Sequence, residues 1–573
     1  MKRQDRSSRP LAIARVSESP EAKELGTSAK IRIVDADQGV GWGMATLFHP
    51  MKAAAIAGVL TLSMGGVISL AGAQTTSNPD RGSGAVGDME LGRQVYEQHC
   101  SACHGIGGDG NGPATVWLFP KPRNFNSGLF KVQSTPAGSL PADEDLFQTI
   151  TRGMPGSSMP GFSYLSEAQR HAVVRYVKWL TFDTDSNGKR VNKFDLARAA
   201  GEIKPPVSVP PEPGATVEAL VKGQELFTKL ACNACHGETG AGDGPSAPTL
   251  KDTWGLPLPP RDFTIGSFRG GSTGRDLYLR IHNGMAGTPM LSYGDDIMKP
   301  EDRWALVLYI QSLRRKDAEV NEILQPADAN LHARRVHKLV TSPTDVAWEK
   351  FESVRVPLNP LWPEPYPVPA VAVTALHDGR RLAILLQWRD GIANGAPVRV
   401  QDFQDAVALQ FSINGTTPFL GMGDAGNPVN IWMWKSGWQQ DVAGERRDVN
   451  TAYPSMHVDK YFETQALFRT AEAAGNLQAS QRITSPVEDA NARGFGSFKT
   501  QPPKGQNVGG LGVWRDGHWS VVVVRDLKSK DPDDVKFQAG KSVPVAFAVW
   551  NGEQRDRNGR KVVSHWHYLV LDP

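Results

Sequence analysis

At 573 residues the chain is too long for one ordinary core, and at about 150 residues per domain three or four domains are expected. Its 63 Lys+Arg against 60 Asp+Glu leave a net charge of +3, which excludes a general nucleic-acid binder; no nucleic-acid partner is expected. With 40% apolar residues, 58 Gly and 41 Pro it reads as loop-rich but globular, neither disordered nor polytopic. Its four Cys stand in two pairs spaced for chemistry rather than for a disulfide framework.

In chain order, residues 1–50 are polar, mixed in charge and without periodicity. They read as an over-extended start or a disordered tail, with translation beginning at Met51. Residues 51–73, in MKAAAIAGVLTLSMGGVISLAGAQ, place Lys52 before an apolar run that ends in Ala71-Gly72-Ala73. A basic residue, an apolar stretch and an A-x-A site together read as a secretory signal peptide. The alternative is an uncleaved membrane anchor, since the run is about the minimum that spans a bilayer. Either way the rest of the chain is expected to be exported, to the periplasm, possibilities that differ only in anchorage by 53–73.

After a linker at 74–87, one unit occurs twice. The first copy, in 88–183, runs GRQVYEQHCSACHGIGGDGNGP, KPRNF, RGMPGSSMPGF and a helical stretch at 166–181. The second, in 217–315, runs GQELFTKLACNACHGETGAGDGP, PPRDF, NGMAGTPMLSY and a helical stretch at 300–313. Apolar periodicity also predicts helices over 90–99 and 217–230, leading into the cysteines. Tyr176, Trp179, Trp304 and Tyr309 fall on faces expected to pack. Repeats of this length are duplicated domains, not solenoid units. Between them, 184–216 is a Pro-rich linker containing KPPVSVPPEP, a semi-rigid extended segment.

Each copy carries C-x-x-C-H: Cys100, Cys103 and His104, then Cys232, Cys235 and His236. This is the attachment sequence of c-type haem. Two thiols three residues apart at a helix start point the same way and reach the two vinyl groups of one porphyrin, and the following His presents a nitrogen to the iron. A redox dithiol would not require the His twice at the same offset, and a zinc site made from both pairs would have to bridge the repeats. Each copy holds two Met that could supply a sixth ligand, Met154 or Met159 and Met285 or Met290. Arg123 and Arg261 occupy equivalent positions and suit haem propionates, guanidinium matching carboxylate geometry, or are solvated loop arginines.

These segments resemble class I cytochromes c, in which G-x-P-M-P-x-F carries the sixth ligand. The resemblance covers both repeats and implies Met159 and Met290 as metal ligands beside His104 and His236, with Met154 and Met285 as packing residues. The second copy lacks Pro after its Met, a departure from the pattern. Two covalently bound haems c follow. His/Met ligation closes the iron and favours a relatively high potential, so these haems are expected to carry electrons rather than bind substrate.

A looser linker is expected over 316–344. From 345 to 573 the pattern becomes strand-like, with runs such as those beginning at Ala370, Leu382, Ala406, Val429, Trp519 and Val543, and hairpin signals at HDGR and RDGH. The fold class expected is thus multidomain, two all-α domains followed by an all-β sandwich. FLGMGDAGNPVNIWMWKSGW, GLGVWRDGHWSVVVVRDL and VAFAVWNGEQRDRNGRKVVSHWHYLVL resemble the haem-binding γ subunits of exported molybdenum enzymes such as ethylbenzene and dimethyl sulfide dehydrogenases and selenate and chlorate reductases. That resemblance implies one non-covalent haem b held between a Met and a Lys. Met422 in GMGD matches the Met. Lys561 matches the near-terminal segment, with Lys499 and Lys504 as rivals and His518, His565 and His567 as fallback ligands. The stretch 439–485 has few strand signals and reads as an insertion.

The expectation is an exported three-haem electron-transfer protein, not itself an enzyme. By resemblance its partners are a molybdenum-containing catalytic subunit, an iron–sulfur subunit and a periplasmic or membrane electron carrier. Alternatives are a dihaem enzyme (peroxidase or dehydrogenase) with an accessory β domain, and a dihaem carrier joined to a glycan-binding sandwich.

Overall fold

The computed structural model describes residues 83–316, 330–455 and 483–573, apart from positions 363, 365, 366, 396, 446 and 448. The expected start region, the apolar run at 51–73 and residues 456–482 of the expected insertion lie outside the described residues. Among the described residues no helix is long and apolar enough to cross a membrane.

The first repeat comprises α1 (Ser83–His99), the short α2 (Ser101–His104), α3 (Asp143–Arg152) and α4 (Glu167–Leu180). Ser166 accepts from the Gln169 N–H while the Gln169 side chain returns a bond to the Ser166 N–H, a capping box that fixes where α4 starts. A small hairpin, β1 (Phe182–Thr184) and β2 (Arg190–Asn192), and α5 (Lys193–Ala199) follow. The second repeat repeats the plan with α6 (Val217–Lys229), α7 (Cys232–His236), α8 (Gly274–Asn283) and α9 (Pro300–Ser312). Thr273 and Asp276 form the same reciprocal box on α8.

In both repeats the outer helices cross at a glycine. A β-carbon at Gly92 would collide with the carbonyl oxygen of Ala172 on α4, and one at Gly223 with that of Ala305 on α9. The glycine opening each copy is therefore a contact requirement, because only a hydrogen fits between the two backbones. Around the crossing, Tyr96, Val173, Tyr176, Val177 and Leu180 close the first core, and Phe227, Tyr278, Trp304, Leu306 and Ile310 the second. Trp179 departs from expectation. It stays 46% exposed, stacked on Tyr176 and covered by the Arg190 guanidinium 4.3 Å from its ring.

The segment expected as linker at 184–216 is partly structured. Its α5 inserts Phe194 into the first core. Its prolines then run along both repeats: the Val207 N–H donates to Ser134 O at 2.8 Å and Val209 packs on the second core.

Among the described residues the C-terminal domain has fourteen strands in one hydrogen-bonded system. They are β3 (Asn330–Arg335), β4 (Val354–Pro357), β5 (Asn359–Pro360), β6 (Ala370–His377), β7 (Arg381–Arg389), β8 (Ala406–Ser412) and β9 (Val429–Lys435), then β10 (Val487–Ala492), β11 (Lys499–Thr500), β12 (Gly509–Arg515), β13 (His518–Asp526), β14 (Ser542–Trp550), β15 (Val562–Val563) and β16 (His567–Leu571). The main path is β11-β10-β9-β8-β14-β16-β3-β6-β7-β13-β12. Strands far apart on that path touch through side chains. Trp434 of β9 lies 4.8 Å from Trp519 of β13 and 6.3 Å from Trp388 of β7, ring centre to ring centre. The sheet thus folds over itself into a sandwich. Gly512 of β12 leaves room for the Trp434 indole, where a β-carbon would strike the ring.

The expected linker at 316–344 holds a strand that sequence reading missed. Parallel to both β16 and β6, β3 sits mid-path in the sheet. In NLHARR only Leu331 and Ala333 point inward, so the polar alternates mask it. The RDGH signal is a two-residue hairpin turn joining β12 and β13, with Asp516 and Gly517 both at positive φ.

A Gly223→Val variant is expected to lose about 1–3 kcal/mol through overpacking at the helix crossing. Thermal unfolding followed by circular dichroism checks this against Gly107→Ala, whose added β-carbon meets nothing within 4 Å.

Candidate functional site

The two C-x-x-C-H segments form the same local structure. In each, a helix of about one turn ends on the His, with Cys100 as the N-cap of α2 and Cys232 opening α7. All four thiols are free. Burial pushes the Cys100 and Cys103 thiols up to about 12 and that of Cys232 up to about 11. Redox dithiols have the reverse, a depressed pKa. His104 Nδ1 lies 2.9 Å from the Arg123 carbonyl oxygen and His236 Nδ1 3.2 Å from that of Arg261. This orients each ring and leaves Nε2 to act outward. Burial also lowers both imidazoles, His104 to about 4, which keeps them neutral, the form that binds metal. Phe125 and Phe263 stack on the imidazoles at 4.4 and 4.2 Å.

The K/P-P-R-N/D-F segments thus supply both the carbonyl and the ring that fix each His. The sequence signal was the repeated PR-x-F, of which only the Arg had been read. The methionine loops match as well. The Met159 N–H donates to Ser157 Oγ and the Met290 N–H to Thr288 Oγ1. Met154 N–H donates to Met159 O, and Met285 N–H to Met290 O. Arg303 on α9, fully buried, donates to Tyr293 O, Met298 O and the Tyr278 hydroxyl, and so ties the second loop to its core. Arg170, its equivalent, lies over Phe147 and donates to Thr151 Oγ1 at 2.5 Å. Both arginines were missed in the sequence.

The β domain has a second apolar face. Along β8, Ala406 and Ala408 point away from the sandwich core while Val407 and Leu409 point into it. On β14, Ala546 and Ala548 alternate with Val545 and Phe547 in the same way. These four alanines make a flat floor. The first repeat lies over it: Phe119 N–H donates to Leu361 O at 3.1 Å, Gln98 Nε2 to Thr417 O at 3.1 Å, and Tyr164 packs on the outward cluster. Between floor and repeat is a cavity of about 850 Å³. That lies toward the upper end of the roughly 300–1,000 Å³ common for bound organic groups.

One continuous wall set includes Cys100, Cys103, His104 and Met159 together with Met422 and Lys561. Met422 adopts φ 74, a left-handed conformation uncommon for a side-chain-bearing residue. Its carbonyl accepts from Gly494 N–H at 2.8 Å and its N–H donates to Leu420 O at 2.9 Å. Such local strain clusters where a side chain has to be aimed. Lys561 is part-buried on the chamber wall, with Nζ 4.7 Å from the Trp550 ring centre and no hydrogen-bond or ion-pair partner for Nζ among the described residues. Desolvation lowers it to about 8. Lys499 and Lys504 are exposed, and His518 sits at a hairpin tip with Nδ1 beside Asp516 O. His565 and His567 stack on each other at 4.3 Å. None of these five borders the cavity.

The residues therefore fit haem groups on chemical grounds: free paired thiols beside oriented neutral imidazoles, and a soft thioether with an unpartnered buried amine across an apolar chamber. The alanine floor went unread, although two strands that keep Ala on one alternation and bulky residues on the other leave room on the Ala face.

Fold and site define a multidomain cytochrome. Residues 89–181 and 220–314 each match the cytochrome c family, and residues 345–562 match the ethylbenzene dehydrogenase family. The chain thus carries two cytochrome c domains, the class that bears haem c, followed by an ethylbenzene dehydrogenase-type γ-subunit domain. A protein named as a respiratory nitrate reductase heme subunit, from Haloferax mediterranei, is 29% identical, covering 40% of this chain and 68% of its own. Chlorate reductase subunit gamma of Ideonella dechloratans is 26% identical, covering 40% and 78%. Dimethylsulfide dehydrogenase subunit gamma of Rhodovulum sulfidophilum is 26% identical, covering 40% and 75%.

Lys561→Met is expected to abolish acid-acetone-extractable haem, while Lys499→Met and Lys504→Met retain it. Because an unpaired, desolvated ammonium is removed, the haem-free Lys561→Met chain is expected to be at least as stable as the parent. Ala546→Phe, which fills the floor without entering the sandwich core, is expected to block the extractable haem in a chain whose far-ultraviolet dichroism is unchanged.

Proposed function

We propose that this chain is an exported, periplasmic electron-transfer subunit that holds two covalent haems c and one haem b and serves a molybdenum oxidoreductase. Chemistry on the substrate belongs to a molybdenum-containing partner joined through an iron–sulfur subunit. The observation that carries the reading is the single cavity bordered both by the first C-x-x-C-H set and by Met422 and Lys561. The names of the relatives, subunits of nitrate and chlorate reductases and of dimethylsulfide dehydrogenase, support the setting.

In this reading His104 with Met159, His236 with Met290, and Met422 with Lys561 hold the three irons. When bound, haem supplies one-electron exchange, and the protein supplies ligation, burial and placement. The Arg123 and Arg261 carbonyls keep each imidazole proton on Nδ1. Lys561 offers a lone pair only when neutral, and its apolar surroundings favour that state. The first cytochrome c domain contacts both the β domain and the second cytochrome c domain. The electron path therefore runs through the domains in the order β domain, first repeat, second repeat, in either direction.

Haem stoichiometry tests this on chain matured in a host with c-type haem assembly. A pyridine haemochrome assay before and after acid-acetone extraction is expected to give two retained haems and one extractable haem b per chain. Two retained haems and none extractable, with the β domain folded, would leave a dihaem carrier and overturn the three-haem reading.

A further inference from the structure

Four part-buried cations meet between the two cytochrome c domains. Arg123 and Lys131 belong to the first, Arg261 and Arg269 to the second, at matching positions eight residues apart in each copy. The two domains touch here through Arg280, which donates to Lys131 O at 3.2 Å and Gln133 O at 2.6 Å, and through Asn283, which donates to Gln133 O at 3.1 Å. The arginines cross over. Arg123 lies 4.5 Å from the Trp254 ring centre in the second domain, and its Nη1 would be 3.1 Å from a β-carbon at Gly287. Reciprocally, a β-carbon at Gly156 would collide with the Arg261 guanidinium. Gly156 and Gly287 hold the same place, two residues after the first Met of each methionine loop. Each domain thus lays its arginine against the other domain's loop, and each loop has a glycine to receive it.

These charges are under-compensated, although Arg261 Nε donates to Ser267 O at 2.7 Å. Lys131 faces Arg123 and Arg269 as well as Asp252; Arg261 faces Arg269 and Asp262. Among the described residues none of the four forms an ion pair. Asp252 is engaged by the N–H groups of Trp254 and Leu256, and Asp262 by Thr264. Arg123 Nη1 and Arg269 Nε are buried and without a hydrogen-bond partner. Three of the four, Arg123, Lys131 and Arg269, border the cavity that holds Cys100, Cys103 and His104. Unpaired buried cations are costly, so the arrangement calls for anions. A haem brings a pair of carboxylates.

We propose that Arg123, Lys131, Arg261 and Arg269 form one shared cluster that would bind propionates of both c haems and so couple the two haems electrostatically. This rests on the reading that each cytochrome c domain carries a haem. It replaces the expectation of one arginine serving its own haem with a cluster acting across the domain boundary. A cation beside a haem favours the reduced state, so neutralising a member of a shared cluster lowers both potentials, whereas neutralising a private one lowers a single potential.

The test is spectroelectrochemical titration of the c-type α-band in the matured full chain. Arg123→Gln and Arg269→Gln are each expected to move both c-type waves to lower potential, with two covalent haems still present by pyridine haemochrome. Arg123→Lys, which keeps the charge, is expected to restore both waves, a result that loss of packing alone would not give. Unmoved waves, or a shift confined to one wave, with both haems attached would overturn the cluster and leave the haem reading intact. A parent chain lacking two covalent haems would overturn both.

Discussion

A sheet that is apolar on both faces has to be covered twice. In the C-terminal domain β8, β9 and β14 turn one alternation into the sandwich, where Trp432, Trp434, Phe411 and Val545 close the core. The other alternation, with Ala406, Ala408, Ile431 and Ala546, faces outward and is covered by the first repeat. Left to water it would form a large apolar patch of a kind monomeric proteins rarely expose. The position of the first repeat, the closure of the chamber and the approach of its thiols to Met422 and Lys561 all follow from that second covering. Tyr164 marks the join, belonging to the first repeat's core and to the outward cluster of the sheet.

The second repeat shares the scaffold but not the neighbour. Both copies keep the glycine crossing, the imidazole clamped by a carbonyl, the stacked Phe and the hydroxyl-held methionine loop. They differ in what they present outward: one offers a surface to the sheet, the other offers Arg280 and Asn283 to its twin. Duplication fixed the interior, which tolerates little change because cores are close-packed. Function was then free to diverge at the faces between domains.

Much of this was readable from sequence. C-x-x-C-H, the Met spacing and the helix periodicity are local patterns, and the structure realises them as local structure. The six strand runs picked out in the β domain all form, because they are rich in β-branched and aromatic residues and bounded by turn signals. What escaped depends on partners distant in the chain. In β3 only two residues are buried, so its pairing with β16 and β6 carries the information that its composition lacks. Trp179 looks like a core residue on a helical wheel and is instead held at the surface by Arg190, on a hairpin that no local pattern signals. Arg123 and Arg261 were read within their own repeats, and their side chains act across the boundary, where no single-repeat pattern reaches. Met422 was singled out by resemblance alone; its left-handed backbone has no sequence signature beyond the flanking glycines.

The proline segment between the repeats has a consequence for how the molecule holds together. With Val207 bonded to Ser134 and Val209 seated on the second core, the tether is itself part of the contact. A short tether makes docking of the second repeat an intramolecular event, with an effective concentration in roughly the millimolar range even for a flexible chain. Stiff prolines have less freedom to lose when they are laid down. The contact between the two repeats is thereby held by the covalent chain as well as by surface complementarity.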